Sequence, residues 1–217
     1  MSDHQFIDPE IVSYCENHTT EESKFLHDLH RTTHLRFARP QMISGNWQGQ
    51  FLAMLSRIMQ PKCILEIGTF SGYATLCLAE GLPKNGIIHT IEREEEMKDF
   101  LEDTFSKSRH KNKIKLHIGL AQNIIPSLNE EFNLVFLDAD KAHYKDNYEL
   151  SLAKMPSGGI MLIDNVLWYG KIVAHTLMHG DKETPNLRAF NLFVQNDPRV
   201  ENVLLPLRDG IMMVRKK

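Results

Sequence analysis

From residue 62 onward the chain repeats one unit, a short apolar run followed by a helix-like stretch, and that alternation leaves few folds open. Cys63–Ile67, Ile87–Ile91, Ile114–Ile118, Leu134–Leu137 and Ile160–Ile163 have the length of strands, and several are rich in Ile and Val. Ser71–Glu80, Glu94–Lys107 and Tyr144–Lys154 read as the intervening helices. Strands without a polar face must be covered on both sides, which is the pattern of a doubly wound, mostly parallel α/β sheet. Val200–Leu205 and Ile211–Val214, joined across Arg208-Asp209-Gly210, add a C-terminal antiparallel hairpin and bring the expected strands to seven.

The first sixty residues read as a helical cover over this core. Thr19-Thr20-Glu21-Glu22 has the form of a capping box ahead of Phe25, Leu26 and Leu29. Phe51, Leu52, Leu55, Ile58 and Met59 fall at helical spacing and stop before Pro61, with an irregular segment, Arg39–Gly45, upstream. A chain of 217 residues without repeat or linker suits one domain, residues 1–60 being the cover and 61–217 the core. The net charge of −3 argues against gripping a polyanion by bulk charge. No apolar run approaches the ~18 residues of a membrane span, and Met1-Ser2-Asp3-His4-Gln5 lacks the basic and apolar regions of an export signal. Three cysteines, Cys15, Cys63 and Cys77, without C-x-x-C spacing suit a reducing compartment, so a cytoplasmic location is expected.

In an open α/β sheet, ligands bind at the carboxyl ends of the strands, so the residues there carry the chemistry. After the first strand comes Glu66-Ile67-Gly68-Thr69-Phe70-Ser71-Gly72, a glycine-bearing loop leading into a helix. Phe70 stands where a dinucleotide fingerprint requires glycine, which counts against an NAD-dependent dehydrogenase. Glu66 suits a cationic ligand, and Glu92, ending the second strand, suits two ribose hydroxyls; together they fit S-adenosylmethionine. Each has a plainer reading: Glu66 as a solvated carboxylate, Glu92 as the start of an acidic run that opens a helix. Asp138, Asp164 and Asn165, at two neighbouring strand ends, offer three hard oxygen ligands, half of a six-coordinate site for Mg²⁺ or Ca²⁺. Alternatively, the two acids cap the following turns. Lys141, three residues beyond Asp138, can serve as general base beside such a cation, or is a surface lysine in a charged loop. His27, His30 and His34 share a helical face but form no H-E-x-x-H pattern, and read as solvated or as part of an interface.

Four segments together are similar to the cation-dependent O-methyltransferases, the family of catechol and caffeoyl-coenzyme A O-methyltransferases and their small bacterial relatives. They are Glu66–Tyr73, Phe136-Leu137-Asp138-Ala139-Asp140-Lys141, Asp164-Asn165-Val166-Leu167-Trp168 and Leu205-Pro206-Leu207-Arg208-Asp209-Gly210. The likeness runs from about Pro40 to the C-terminus. It implies a Rossmann-like fold, a bound S-adenosylmethionine and a divalent cation, Mg²⁺ first and Ca²⁺ or Mn²⁺ as alternatives. By position, Asp138, Asp164 and Asn165 would hold the metal, Lys141 would take the acceptor proton, and Asp138 would also approach the methyl-transfer centre. Met42, Ser44, Glu66, Gly68 and Phe70 would line the methionine end of the cofactor; Ala74, Glu92 and Ala121 would line the ribose and adenine side, with Gln122 beside them.

The resemblance implies a small phenolic acceptor with vicinal hydroxyls and a homodimer formed through the N-terminal helices. One departure touches the acceptor: the family often carries an Asp-Glu pair where this chain has Gly45-Asn46-Trp47-Gln48. The loop from Trp168 to Thr184 also shapes the acceptor pocket in this family. Some small bacterial relatives methylate a hydroxylated uridine in transfer RNA instead, and Arg31, Arg36 and Arg39 could form the basic patch such an acceptor needs. A catalytically silent S-adenosylmethionine-binding protein would leave the set Asp138, Lys141, Asp164 and Asn165 without a purpose.

Overall fold

The computed structural model describes residues 7–217; the N-terminal pentapeptide read above lies outside them. Among the described residues seven strands form one sheet: β1 Cys63–Ile67, β2 Ile87–Glu92, β3 Ile114–Ile118, β4 Leu134–Leu137, β5 Ile160–Ile163, β6 Val200–Leu205 and β7 Ile211–Lys216. Their order across the sheet is β3-β2-β1-β4-β5-β7-β6. The first five strands pair in parallel, and β7 runs antiparallel to both its neighbours, β5 and β6.

Alternate residues of the apolar strands feed two cores. Leu65, Ile67, Val135, Leu137, Met161 and Ile163 pack on one face with Tyr144, Tyr148 and Phe190; these come from α7 (Tyr144–Ala153) and α8 (Glu183–Gln195). Ile64, Ile88, Leu134, Phe136 and Leu162 pack on the other with Leu52, Leu78 and Leu101; these come from α3 (Gly45–Met59), α4 (Tyr73–Ala79) and α5 (Lys98–Lys107). Fully burying each such side chain contributes about 1.5–3 kcal/mol before entropy is counted, which is why β1 and β4 admit no polar face. The exception is Glu66, buried in the middle of that apolar strand.

The N-terminal cover consists of α1 (Pro9–Asn17), α2 (Lys24–Arg36) and α3, with a short 3-10 turn at Pro40–Met42. The capping box expected at Thr19 and Glu22 does not form. Ser23 caps α2 instead, accepting from Leu26 N at 3.3 Å. Thr19 Oγ1 turns back to Cys15 O at 2.7 Å, and the Glu22 carboxylate is taken by the Tyr73 hydroxyl. A single helix over 94–107 is also corrected: a 3-10 turn at Glu95–Met97 precedes α5, because the Glu92 carboxylate binds Glu94 N at 3.0 Å and holds residue 94 extended. No described helix is long and apolar enough to cross a membrane.

The chain leaves β1 and β4 on opposite sides of their shared boundary, so the loops after them part there and open a crevice. Asp138 N still bonds Ile67 O at 2.9 Å at that boundary, keeping the two loops in register.

Candidate active site

A cleft of about 1470 Å³ opens over the carboxyl ends of the parallel strands. Its floor is the loop after β1. Gly68 has φ +100°, and a Cβ there would lie 1.8 Å from the Asp138 carbonyl oxygen, so no side chain fits. Phe70, also left-handed at φ +47°, packs its ring against Phe37 with centroids 5.4 Å apart, and Phe37 packs edge-on against Phe100 at 5.0 Å. Phe70 N donates to Glu92 Oε2 at 2.8 Å, and Glu94 N to Oε1 at 3.0 Å. Each Glu92 oxygen therefore keeps one lone pair for a further donor, the requirement for gripping a pair of hydroxyls.

Of the residues expected around the methyl donor, Met42, Ser44, Gly68, Phe70, Glu92, Ala121, Gln122 and Asp138 all line the cleft. Glu66 and Ala74 are not part of that wall. Glu66 is completely buried behind it, with Thr75 and Thr90 hydroxyls donating to Oε2. Burial pushes its carboxyl up to about 8, against the pull of those hydrogen bonds. Burial thus favours the protonated form of Glu66, whose carboxyl lies behind the cleft wall rather than on it. Ala74 is buried in the core around α4.

Across the cleft, Asp138, Lys141, Asp164 and Asn165 converge. Lys141 Nζ donates to Asn165 Oδ1 at 2.6 Å, Ala139 O at 3.1 Å and Asp138 Oδ1 at 3.4 Å. It lies 4.9 Å from the centre of the Tyr144 ring, and the Tyr144 hydroxyl donates to Asp164 O at 2.9 Å. The Asp164 carboxylate accepts Asn165 N at 2.8 Å and Gln48 Nε2 at 2.6 Å. Burial, then the Asp138 charge, push the Asp164 carboxyl well above the usual range. Asn165 sits at φ +56°, a conformation that asparagine tolerates better than most residues. The donor set is two carboxyl groups and an amide, all hard oxygens, and Lys141 Nζ sits between Asp138 and Asn165. These residues fit a hard divalent ion. Among the described residues no group of three His, Cys, Asp or Glu side chains is placed to hold a metal ion, so the amide of Asn165 is needed to supply a third ligand.

Several residues reach the site that spacing does not single out. Gln48 and Arg208 meet over 160 positions of sequence, with Arg208 NH1 donating to Gln48 Oε1 at 3.1 Å. His30 and His34 line the cleft with Trp47, Trp168 and Tyr169, so their helical face is neither simply solvated nor free of the site. Burial, ahead of the neighbouring His34, lowers the His30 imidazole from its ordinary value. No signal in the sequence says toward what that face turns. The segment after Trp168 is held by Arg188, which donates to Ile172 O at 2.8 Å, Lys171 O at 3.2 Å and Ala174 O at 2.5 Å. Cys63 and Cys77 are buried fillers, as expected, and burial pushes the Cys63 thiol up to about 12.

Residues 16–217 match the O-methyltransferase family. A probable caffeoyl-CoA O-methyltransferase of Dictyostelium discoideum is 30% identical, covering 96% of this chain and 90% of the relative. A catechol O-methyltransferase of Niastella koreensis is also 30% identical, covering 74% and 73%. Among solved structures, an SAH-bound methyltransferase of Podospora anserina superposes with a TM-score of 0.89 at 29% identity over the whole of both chains. An O-methyltransferase of Bacillus cereus in complex with SAH gives 0.86 at 26% identity, covering 96% and 97%. The chain therefore belongs to the O-methyltransferase family, as an S-adenosylmethionine-dependent enzyme.

Proposed function

We propose that the chain methylates one of two vicinal hydroxyls on a small phenolic acceptor, with a divalent cation held by Asp138, Asp164 and Asn165. The observation that carries this reading is the convergence of those three side chains with Lys141, whose Nζ is within 3.4 Å of two of them, at the wall of the donor cleft. Mg²⁺ is the first candidate for an all-oxygen site, with Mn²⁺ or Ca²⁺ as substitutes. When bound, such an ion supplies Lewis-acid polarisation of the acceptor oxygens. Trp47 and Trp168 supply flat apolar surface for an aromatic ring.

Lys141 and Asp138 are the catalytic residues in this reading. Lys141 Nζ, as the amine, accepts the proton of the acceptor hydroxyl. The oxygen lone pair then forms the new O–CH₃ bond while the C–S bond of the sulfonium breaks, its electron pair remaining on sulfur. Asp138 stands between the donor loop and Lys141 and orients both. Glu92 holds the ribose; Met42, Ser44, Gly68 and Phe70 surround the methionine end; Ala121 and Gln122 border the adenine. Holding donor and acceptor in line contributes more than any covalent chemistry, since no enzyme-bound intermediate is needed.

We further propose one methyltransferase domain spanning the chain, residing in a reducing compartment such as the cytoplasm that suits its free cysteines. The homodimer would form through the helical cover, where Ile11, Tyr14, Met54 and Ile58 are exposed. The acceptor is tested with labelled S-adenosylmethionine and Mg²⁺, offering catechol, a monohydroxylated phenol and transfer RNA bearing hydroxylated uridine. Catechol should be methylated at a rate that changes little with salt, the monophenol should not react, and Lys141→Ala should slow catechol transfer by about 10²–10⁴-fold. Methylation of the transfer RNA alone, falling steeply with salt, would replace the small phenol as acceptor.

A further inference from the structure

We infer that Gln48 and Arg208 are positioning residues that pre-set the Asp164 carboxylate for cation binding, an inference that rests on the metal-dependent reading of the site. Asp164 is 3% exposed, and its two oxygens have one protein donor each, Asn165 N on Oδ1 and Gln48 Nε2 on Oδ2. A carboxylate oxygen has about two acceptor positions, so one on each oxygen stays open and its direction is set by the position already filled.

The Gln48 amide could in principle face either way, and Arg208 decides which. A guanidinium only donates, so the amide must offer Oε1 to Arg208 NH1, 3.1 Å away. That leaves Nε2 toward Asp164. Gln48 is 1% exposed, so its amide is held by these partners rather than left to turn in solvent. Arg208 is fixed in turn by donating to Ile43 O at 2.9 Å and to Ser44 O, and by a left-handed backbone at φ +49° in the turn before β7. Donors therefore run in one direction, from Arg208 through Gln48 to Asp164, and couple the C-terminal turn and the Ile43-Ser44 segment to one carboxylate.

The interposed amide also has a chemical consequence. An arginine directly on Asp164 would take both oxygens in a bidentate pair, whereas Gln48 passes on a single N–H and keeps the cation one residue away. The carboxylate is oriented without being neutralised.

The test is Mn²⁺ affinity, followed by the spin-resonance signal of the free ion in the presence of S-adenosylhomocysteine, for wild type, Gln48→Met, Arg208→Met and the double variant. Thermal melting and S-adenosylhomocysteine affinity are measured alongside to confirm that each is folded. Gln48→Met should weaken Mn²⁺ by about 10–100-fold, the range for partners behind a metal ligand, with the cofactor analogue still bound. Catalytic rate should recover toward wild type at saturating Mn²⁺. Arg208→Met should weaken Mn²⁺ in the same direction, and the double variant should be no weaker than Gln48→Met, because the two act in series. Wild-type Mn²⁺ affinity in folded Gln48→Met and Arg208→Met, or additive losses in the double variant, would overturn the inference. Absence of Mn²⁺ binding by the wild type would instead overturn the metal-dependent reading itself, and this inference with it.

Discussion

Glu66 and Glu92 both belong to strands that lead into the cleft, yet only Glu92 lines it. Glu92 is fixed by two backbone amides and keeps open acceptor positions, while Glu66 is enclosed with Thr75 and Thr90 and burial pushes its carboxyl up to about 8. The unfolded chain ionises its glutamates near the ordinary value, whereas folded Glu66 keeps its proton until the higher one. Between those values the folded state binds the extra proton, so Glu66 costs stability increasingly as pH rises. Glu66→Gln, a neutral replacement of similar shape, should therefore raise the melting temperature, and by more at about pH 8 than at about pH 5. A difference that shrinks as pH rises would contradict this account of Glu66. Spacing in the sequence places both acids near strand ends but says nothing of depth, which is why they read alike there. Gly68 was legible because the need for close approach leaves only one residue type; Gln48 was not, since its importance comes from Arg208, at the other end of the chain.

Strands were legible almost to the residue: β1, β3, β4, β5 and β6 have the boundaries expected of them. In β1 and β4 the burial of every side chain outweighs any local alternative, whereas β3 and β6, at the two edges of the sheet, are only partly buried. Helix starts were less legible, because a start depends on which polar side chain wins a backbone amide. Ser23 displaced Thr19, and Glu92 delayed α5. The stretch after Trp168 has no apolar pattern to read, and its shape comes from α8, through the three carbonyls that Arg188 holds. Hydrogen bonds to a charged group contribute about 1.5–3 kcal/mol each at most, enough to keep this stretch against the cleft. Arg188→Met should raise the KM for the acceptor while leaving the KM for S-adenosylmethionine near wild type, since Trp168 and Tyr169 lie on the wall that Arg188 supports. Equal changes in both constants would place Arg188 in general stability instead.

At the scale of the molecule, the reversal of strand order brings Gly68, Glu92, Asp138 and Asp164 from four strand ends to one cleft, with the hairpin turn closing over it. That much follows from the alternation of strands and helices; the inward turn of α2, which carries His30 and His34 to the cleft, does not. The sheet also holds a titratable pair far from the chemistry, His89 Nδ1 and His117 Nε2, 3.1 Å apart. Burial lowers the His89 imidazole to about 4, so between that value and the unfolded one the unfolded chain carries the extra proton and stability falls with acid. Glu66 acts in the opposite sense over part of the same range, so the comparison must be between variants: His89→Gln should lose less melting temperature than wild type from about pH 7 to about pH 5, and an equal loss would exclude His89 as the source. The central claim, that the three oxygen ligands and Lys141 work with a divalent cation, is met most directly by following methyl transfer to catechol in chelator-treated enzyme before and after Mg²⁺ is restored. Transfer should vanish with the chelator, return with Mg²⁺, and fail to return in Asp164→Ala. Full transfer under chelator would contradict the account.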